Sequence, residues 1–295
     1  MDRKERLIAL FLYTDRRYES ELFIFSERMT DNSNPEFSDV EVLSVYLWGV
    51  MNGHRRVKTA HEFTRNHLSE WFPKLPAYAT YIQRLNRLNA VFPQLLSLIQ
   101  NDFPPLFESE PIRLIDSMPI MLAKARCGGG AKVAREIADK GYNSTEKTYY
   151  YGLKPHILAL RRNRQLPLPD YIGITAAGEA DINVLKDIAD DLYDIPVYAD
   201  KAYISGELER RLAGRDSPLN TPVKKKKGRQ LGMSEEIRST FVSRIRQPIE
   251  SLFGWIEEKT GIQTASKVRS TRGLLVHVYG RLVAAMLMLT PSFNS

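Results

Sequence analysis

The chain has 295 residues, of which 43% are hydrophobic, so it can bury the core of one large domain or two smaller ones. This composition excludes a disordered chain and a collagen-like repeat. Lysine and arginine total 42 against 35 aspartate and glutamate, a net charge of +7 with neutral histidines. A basic balance favours nucleic acid or another anionic surface as partner, although a merely soluble basic protein has the same balance.

The distribution of charge and the single cysteine add further limits. Residues 151–200 contain 5 basic and 8 acidic side chains, whereas residues 201–295 contain 17 basic and 8 acidic ones. Cys127 alone can form neither an internal disulfide nor a cysteine-based zinc site. No uninterrupted apolar stretch reaches the roughly 18 residues that span a bilayer, and the first residues do not lead into a signal-type apolar segment. We therefore expect a cytoplasmic protein without a membrane partner.

The first 105 residues are predicted to form a separate helical domain. Apolar residues recur there at spacings of three and four, and strand-like alternation is rare. Ser38 precedes Glu41 by three residues, which is the capping-box spacing and marks the start of a helix. We expect this domain, residues 1–105, to be all-α and helix-turn-helix-like.

A further helix is predicted within residues 74–88, after a proline-marked turn. It offers Arg84 and Arg87 as contacts to the DNA backbone or groove. The alternative is an ordinary amphipathic helix that packs Ile82 and Leu85 inward and keeps a solvated basic face. The spacing of apolar residues leaves both interpretations open.

Residues 106–295 are predicted to form a second domain of the α/β class. The strand candidates are residues 112–120, 148–160, 171–175, 197–200 and 220–223, and the helix candidates are residues 181–192 and 205–213. Strands come first and helices interleave later, which favours a mixed β-sheet flanked by helices. Residues 122–147 show no core pattern and are predicted to be a mobile basic arm, and residues 274–289 a closing helix against this domain.

Two aspartates occur in apolar surroundings. Asp116 lies inside the strand-like run 112–120, where an unpaired buried charge is costly. Asp200 ends a second short buried run that begins at Ile195. Two strand-associated carboxylates favour a shared cation, while either one alone is also typical of a strand end or a turn.

A third acid, Glu250, follows Pro248, which favours a helix that starts at that point. Ile249 and Leu252 belong to an apolar stripe at helical spacing, so Glu250 borders the buried face. Taken alone, Glu250 is equally typical of an acidic residue in the first turn of a helix, paired with Arg246 four residues earlier.

A strand aspartate, a strand-end aspartate and a helical glutamate in this order resemble the DDE transposases of bacterial insertion sequences. The resemblance covers most of the chain, and its specific parts are IDSMP at 115–119, YGLKPH at 151–156, ADKAYIS at 199–205 and RQPIESLF at 246–253. Among subgroups the chain is most similar to the one typified by insertion sequence nine-eight-two. The resemblance implies an RNase H-like core, with the first aspartate on the first strand, the second after the fourth strand and the glutamate on a following helix.

By the same resemblance, Asp116, Asp200 and Glu250 match the catalytic acids, and Arg246 matches the basic residue four positions before the glutamate. The family implies two Mg²⁺ ions held by the three acids, with Mn²⁺ as a substitute. The ions would serve cleavage and joining of double-stranded DNA, namely the terminal inverted repeats and the target. It also implies at least a homodimer in the bacterial cytosol.

The chain departs from the family pattern at several positions. The wider family often has Tyr seven residues before the glutamate and Lys seven after it, where this chain has Ser243 and Glu257. Many relatives have His-Asp before the second acid, where this chain has Ala180 and Asp181. These departures concern DNA contacts and an accessory position rather than the three acids.

A basic loop, residues 224–232, lies between the second and third acids, where a phosphate backbone would have to pass. The predicted DNA contacts in the catalytic domain are Arg126, Lys154, Lys224, Lys225, Lys226, Lys227, Arg244 and Arg246. A solvated loop is the alternative for the lysine run. His156 shares a strand face with Lys154 and is predicted to face solvent or a phosphate, with a general-base role as the alternative.

Two rival functions remain open at this point. One is a non-catalytic DNA-binding protein or repressor of the same fold, which would bind DNA in a salt-sensitive manner indifferent to Mg²⁺. The other is a nuclease without strand joining, whose products would end at free 3′ hydroxyls.

Overall fold

The computed structural model describes residues 2–26, 35–103, 109–124, 133–144, 146–225, 228–290 and 293. The chain divides into two compact units, of which the first consists of Met1–Pro104 and Ile256–Ser295 and the second of Pro105–Trp255. The first division lies beside the predicted boundary near residue 105. The second division differs from the predicted domain of residues 106–295, because residues 256–295 group with the N-terminal helices.

The helices, in chain order, are α1 (Arg3–Arg17), α2 (Asp39–Met51), α3 (Val57–His67), α4 (Tyr78–Arg87), α5 (Val91–Asp102), α6 (Asp181–Ile188), α7 (Gly206–Ala213), α8 (Met233–Thr260) and α9 (Thr271–Leu289). The strands are β1 (Ser109–Ser117), β2 (Ile120–Lys124), β3 (Asp139–Asn143), β4 (Thr148–Arg162), β5 (Leu168–Ala176), β6 (Val197–Tyr198) and β7 (Leu219–Asn220). Helices α1–α5 and α9 belong to the first unit, and the strands with α6, α7 and most of α8 belong to the second.

Helix α2 lies in the centre of the first unit and confirms the predicted helix start. The Ser38 hydroxyl accepts a hydrogen bond from the Glu41 backbone N–H at 3.1 Å, and the Glu41 carboxylate accepts one from the Ser38 N–H at 2.6 Å. Most of its side chains are buried on every side of the helix. A helix that is apolar all round is expected to be surrounded by other elements.

Helix α9 packs against α2 and α5 within the first unit, so the prediction that it closes against the second domain was wrong. A Cβ at Gly280 would lie 2.5 Å from the Tyr46 ring, which shows how closely α9 approaches α2. By length and composition only, α9 could cross a membrane, but 67% of its most apolar window is buried inside the protein. A core helix passes the same test, which makes this weak evidence for a membrane span.

Helix α4 is amphipathic, as one of the two sequence interpretations predicted. Tyr81 and Leu85 are fully buried, and the Tyr81 hydroxyl donates to the Val42 carbonyl at 3.0 Å. Residues 68–77 separate α3 from α4, which is more than the three or four residues of a helix-turn-helix connection. A helix-turn-helix in this unit therefore stays a prediction.

The second unit contains a mixed sheet. Among the described residues, seven strands form it in the order β2-β4-β1-β6-β7, and β3 and β5 also pair with β4. Strand β4 is antiparallel to β1, β2, β3 and β5, whereas β6 is parallel to β1, and β7 is parallel to β6. The predicted α/β class, a mixed sheet flanked by helices, is thus found.

Helices α6 and α7 cover one face of this sheet. Leu185 of α6 and Leu208 of α7 share one buried cluster with Ile115 of β1, Leu158 of β4 and Val197 of β6. Each fully buried aliphatic side chain of this kind contributes roughly 1.5–3 kcal/mol. The cluster therefore anchors β1 at the residue before Asp116 and β6 three residues before Asp200.

Several elements differ from the predictions, and strand β2 (Ile120–Lys124) already lies partly inside the predicted arm of residues 122–147. Strand β3 lies inside the predicted arm of residues 122–147, and its only buried residue is Gly141, so it offers no apolar alternation to recognise. Helix α8 begins at Met233 and contains Pro248 in its interior, whereas Pro248 was predicted to mark its start. A proline inside a helix lacks the N–H that would bond to the carbonyl four residues earlier, and its ring crowds that carbonyl, yet the helix continues on both sides of Pro248.

Candidate active site

The two aspartates predicted as a pair lie at one edge of the sheet. Strands β1 and β6 are parallel neighbours, with Leu114 opposite Tyr198. Asp116 and Asp200 each lie two residues farther along the chain from this pair. Because the carboxyl ends of parallel strands meet at the same edge of a sheet, the register places these two carboxylates near each other.

The third acid reaches the same edge from helix α8. Arg246 donates from Nη1 to Asp116 Oδ2 at 2.6 Å and from Nη2 to Glu250 Oε1 at 2.6 Å. Arg246 and Glu250 lie four residues apart on one face of α8, and the Arg246 side chain is only 16% exposed. One guanidinium thus joins a sheet carboxylate to a helix carboxylate far away in sequence.

The surroundings of Asp116 shift its titration strongly. The pKa of Asp116 is raised from the ordinary 3.8 to about 6, mainly by burial and to a smaller extent by the negative charges of Asp200 and Asp181. Arg246 and the Ser117 backbone N–H, which donates to Asp116 Oδ1 at 2.9 Å, act in the opposite direction. A concentration of carboxylates that perturbs one member in this way is typical of a functional site.

Asp200 caps the short 3₁₀ turn Lys201–Tyr203, and its carboxylate accepts a hydrogen bond from the Ala202 backbone N–H. The Tyr203 side chain is fully buried, and its hydroxyl has no hydrogen-bond partner among the described residues. Burial and the charges of three nearby aspartates raise the pKa of Tyr203. The only sequence signal for Tyr203 is its place in the ADKAYIS motif at 199–205.

Asp181 adds a fourth carboxylate beside the pair. It is the first residue of α6, and its Oδ1 accepts from Lys154 Nζ at 2.5 Å and from the Ser117 hydroxyl at 3.1 Å. Lys154 also donates to the Glu179 carbonyl at 2.6 Å. The predicted DNA contact Lys154 is therefore engaged in holding Asp181, and Ser117, which sequence reasoning did not single out, links β1 to α6.

His156 is fully buried in β4, so the prediction that it faces solvent or a phosphate was wrong. Its Nε2 lies 2.8 Å from the Thr175 hydroxyl, and its Nδ1 lies 3.9 Å from an Asp181 oxygen. Burial lowers the pKa of His156 to about 4, so the ring is neutral at pH 7. Alternation along the strand predicted the face that His156 shares with Lys154 but not which elements cover that face.

Arg84, the predicted DNA contact on α4, is engaged within the first unit. Its Nη2 lies 2.8 Å from Asp39 Oδ1, and the Asp39 side chain is only 6% exposed. The guanidinium also lies over the Phe37 ring, 5.9 Å from its centroid. Arg84 thus neutralises a buried carboxylate in the interior of the first unit.

The other predicted DNA contacts divide into two groups. The side chains that the structure shows exposed to solvent are Arg87, Lys224, Lys225 and Arg244. The predicted contacts that lie outside the described residues are Arg126, Lys226 and Lys227. The exposed members leave their charges available to an anionic partner.

A cavity of about 710 Å³ opens beside the acids. Its lining includes Asp200 and Glu250 together with the cations Lys201, Arg244 and Arg246. Both signs of charge therefore meet at one opening, which suits a ligand that combines phosphate groups with bound cations.

The carboxylates fit a divalent cation by charge and donor type. In the ranges that the structure describes, no three His, Cys, Asp or Glu side chains are close enough to hold a metal ion. The Arg246 guanidinium instead lies between Asp116 and Glu250. All available donors are carboxylate oxygens, which Mg²⁺ and Mn²⁺ prefer, and a positive group already lies between two of them.

Comparison with known proteins now identifies the class. Residues 108–287 match the family model described as the transposase DDE domain. This match covers more than half of the chain and includes all three acids, so the chain belongs to the family of transposases with a DDE domain. A search of curated proteins and of solved structures finds no match. Membership supports a transposase that acts on DNA in transposition and recombination.

Proposed function

We propose that this protein binds the inverted-repeat ends of an insertion sequence, cleaves DNA phosphodiesters there and transfers the 3′-hydroxyl ends to target DNA. The observations that carry the proposal are that Arg246 joins Asp116 to Glu250, that Asp200 and Glu250 line one open cavity, and that the register of β1 and β6 brings Asp116 and Asp200 to the same sheet edge. These acids come from three separate elements, so their proximity depends on the whole fold of the second unit.

The order of strands supports an RNase H-like core. If β2 and β3 are set aside, the remaining order is β5-β4-β1-β6-β7. In this order β4 is antiparallel to both of its neighbours, β5 and β1, whereas β6 and β7 run parallel to β1. The first acid lies on β1, the second follows β6, and the third lies on the later helix α8. This order matches what the resemblance to transposases of the insertion sequence nine-eight-two group implies.

Asp116, Asp200 and Glu250 would hold two Mg²⁺ ions, with Mn²⁺ as a substitute. When bound, such ions stabilise charge on the attacking and leaving oxygens of a phosphodiester. The protein's own groups position the acids: the register of β1 and β6 fixes the aspartates, and α8 brings Glu250 to them. Arg246 neutralises part of the negative charge of Asp116 and Glu250.

The cations around the cavity would bind the phosphates of a DNA strand beside the acids. Lys224 and Lys225 are exposed at the start of the basic loop, and the Val223 N–H donates to the Ser239 hydroxyl of α8 at 3.1 Å, which holds the start of this loop to the helix. Arg244 is exposed on α8, six residues before Glu250. Each phosphate that such a cation neutralises releases counterions and makes binding sensitive to salt. The active species is a homodimer in the bacterial cytosol that pairs two element ends.

Strand cleavage and joining on duplex DNA from the regions flanking the gene test this function. Asp116→Asn, Asp200→Asn and Glu250→Gln are each expected to lose at least 100-fold in activity, on the order of what removal of a metal-holding or transition-state-stabilising group costs. Glu236→Gln, an exposed glutamate on the same helix as Glu250, is the matched control and keeps full activity.

Several results would reject or narrow the proposal. Full activity in any of the three acid variants removes that acid from the site. DNA binding without Mg²⁺-dependent cleavage in the wild type points to a repressor of the same fold. Cleaved products that end at free 3′ hydroxyls, with no joined species, leave a nuclease without strand transfer.

A further inference from the structure

A second cavity, whose charged lining is mostly basic, lies in the first unit. It measures about 620 Å³ and is bordered by the start of α3, one face of α4, the loop of residues 261–270 and α9. We call it the cationic cleft and define it by the basic residues that line it, Arg55, Arg56, Lys58, Lys267, Arg269 and Arg281. None of the basic DNA contacts predicted from the sequence belongs to it.

The charge of the cleft is largely uncompensated. Within the described ranges, Lys58 is the only exposed cation of the cleft that pairs with a carboxylate, Glu62, at a long 3.8 Å. The only acid in the lining is Glu257, and its carboxylate accepts a hydrogen bond from the Gln263 backbone N–H at 2.8 Å. The cleft therefore concentrates positive charge, although residues 1–104 contain thirteen basic and thirteen acidic side chains.

The floor of the cleft is a fixed arrangement around a buried cation. The Arg281 residue is 6% exposed and donates to the carbonyls of Thr260 and Arg55, while its Nε has no hydrogen-bond partner in the described part of the chain. His277 Nε2 lies 2.8 Å from the Ile262 carbonyl and holds the adjoining loop. A buried guanidinium with an unused donor is costly unless an anion or water approaches it.

The walls of the cleft add polar groups and helix ends. Tyr78, Ile82 and Asn86 lie four residues apart on α4 and form one side. Helices α3 and α9 both begin at the cleft, where Arg56 and Ser270 are their N-caps. Backbone N–H groups at helix N-termini favour anions, and here they add to the basic side chains rather than act alone.

We propose that the cationic cleft binds the phosphodiester backbone of duplex DNA. The inference rests on the proposed function, because that function supplies DNA as the partner. The cations border an open cavity over three separate segments rather than converging on one point, which suits a run of phosphates more than a single small anion. The α4 face in the wall places Tyr78 and Asn86 beside that backbone, where phosphate contacts fix the position of a protein on DNA.

Salt-dependent binding tests the cleft without any step of catalysis. The full chain is titrated with a duplex of about 40 base pairs in roughly 50 to 300 mM NaCl without divalent ions. Arg56→Ala combined with Lys267→Ala is expected to lower the slope of log affinity against log salt by about 1.8, which is a roughly 60-fold loss at about 0.1 M salt. The control, Lys4→Ala with Arg16→Ala on α1, removes two exposed charges of the same unit outside the cleft and changes affinity less than about twofold.

A second measurement uses the unmodified protein. Acylation of Lys267 by an amine reagent, read by mass spectrometry, is expected to slow severalfold when the duplex is bound, while acylation of Lys74 is unchanged. Three results would overturn the proposal that the cleft binds DNA. They are an unchanged acylation rate at Lys267, an equal loss of affinity in the α1 control, and no duplex binding by the wild type. If the wild type cleaves DNA normally and the cleft variant binds DNA as the wild type does, only the proposal for the cleft is rejected. If the protein binds DNA through the cleft in a salt-dependent manner but does not cleave it, only the catalytic proposal is rejected.

Discussion

Replacement of Asp116 by asparagine is expected to stabilise the folded protein at neutral pH, although it removes a proposed catalytic acid. The Asp116 side chain is 20% exposed, so its carboxylate is ionised in surroundings that hydrate it poorly. Asparagine has nearly the same shape and no charge. The substitution therefore isolates the free-energy cost of the negative charge at this position.

The magnitude follows from the pKa of Asp116, which is about 6 in the folded protein against an ordinary 3.8. Each pH unit corresponds to about 1.36 kcal/mol, so ionised Asp116 costs the folded state about 3 kcal/mol relative to the protonated acid. The attraction of Arg246 is already included in this pKa. Because the folded pKa is the raised one, the stabilisation by the protonated acid is complete below pH 3.8 and is lost as the pH rises through about 6.

Urea unfolding of the wild type and Asp116→Asn between about pH 4 and about pH 7.5 measures this difference. We expect nearly equal free energies of unfolding at the acidic end and an advantage of about 3 kcal/mol for the variant at the neutral end. Asp190→Asn is the control, since Asp190 is exposed and its pKa is lowered by its hydrogen bond with Arg211, and it gains nothing. A variant less stable than the wild type at neutral pH, or a gain independent of pH, would refute the reasoning.

Two further substitutions test the packing of the first unit by urea unfolding of the intact chain. Gly280→Ala places a Cβ 2.5 Å from the Tyr46 ring and is expected to lower the free energy of unfolding by roughly 1–3 kcal/mol. Gly254→Ala, where a Cβ has nothing within 4 Å, should leave this free energy unchanged or raise it by up to about 1 kcal/mol. Equal effects of the two substitutions would contradict the close approach of α9 to α2. Arg84→Ala removes the guanidinium that lies 2.8 Å from the buried Asp39 carboxylate and is expected to cost roughly 3–5 kcal/mol, against less than about 0.5 kcal/mol for the exposed Arg87→Ala. A stability unchanged by Arg84→Ala would show that this ion pair is not structural.

Local pattern was sufficient for elements whose own residues specify them. The prediction of a strand at 148–160 corresponds to β4 (Thr148–Arg162), and that of a helix at 205–213 corresponds to α7. The Ser205 hydroxyl accepts from the Leu208 N–H at 3.4 Å at the start of α7. These elements have apolar periodicity or a cap within a few residues, so no distant partner is needed to recognise them.

Predictions failed where a distant element decides the outcome. Strand β3 exists because it pairs with β4, although its sequence has a single buried residue, Gly141. A Cβ at Gly141 would lie 2.4 Å from the Ala177 carbonyl oxygen, so the close approach itself requires glycine. Pro248 likewise marks a helix start by local rules but lies inside α8, whose earlier turns extend it toward the basic loop.

The amino-acid sequence was enough to identify three unusual acids, their order and the basic segments near them, because each is an exception to a local pattern of apolar residues. The tertiary structure alone decided that Arg246 lies between Asp116 and Glu250, that His156 is buried and neutral, and that residues 256–295 belong with the N-terminal helices. Contacts between residues more than a hundred positions apart depend on strand register and on which faces are covered. Local periodicity contains no information about either, since the same strand or helix pattern is compatible with many partners.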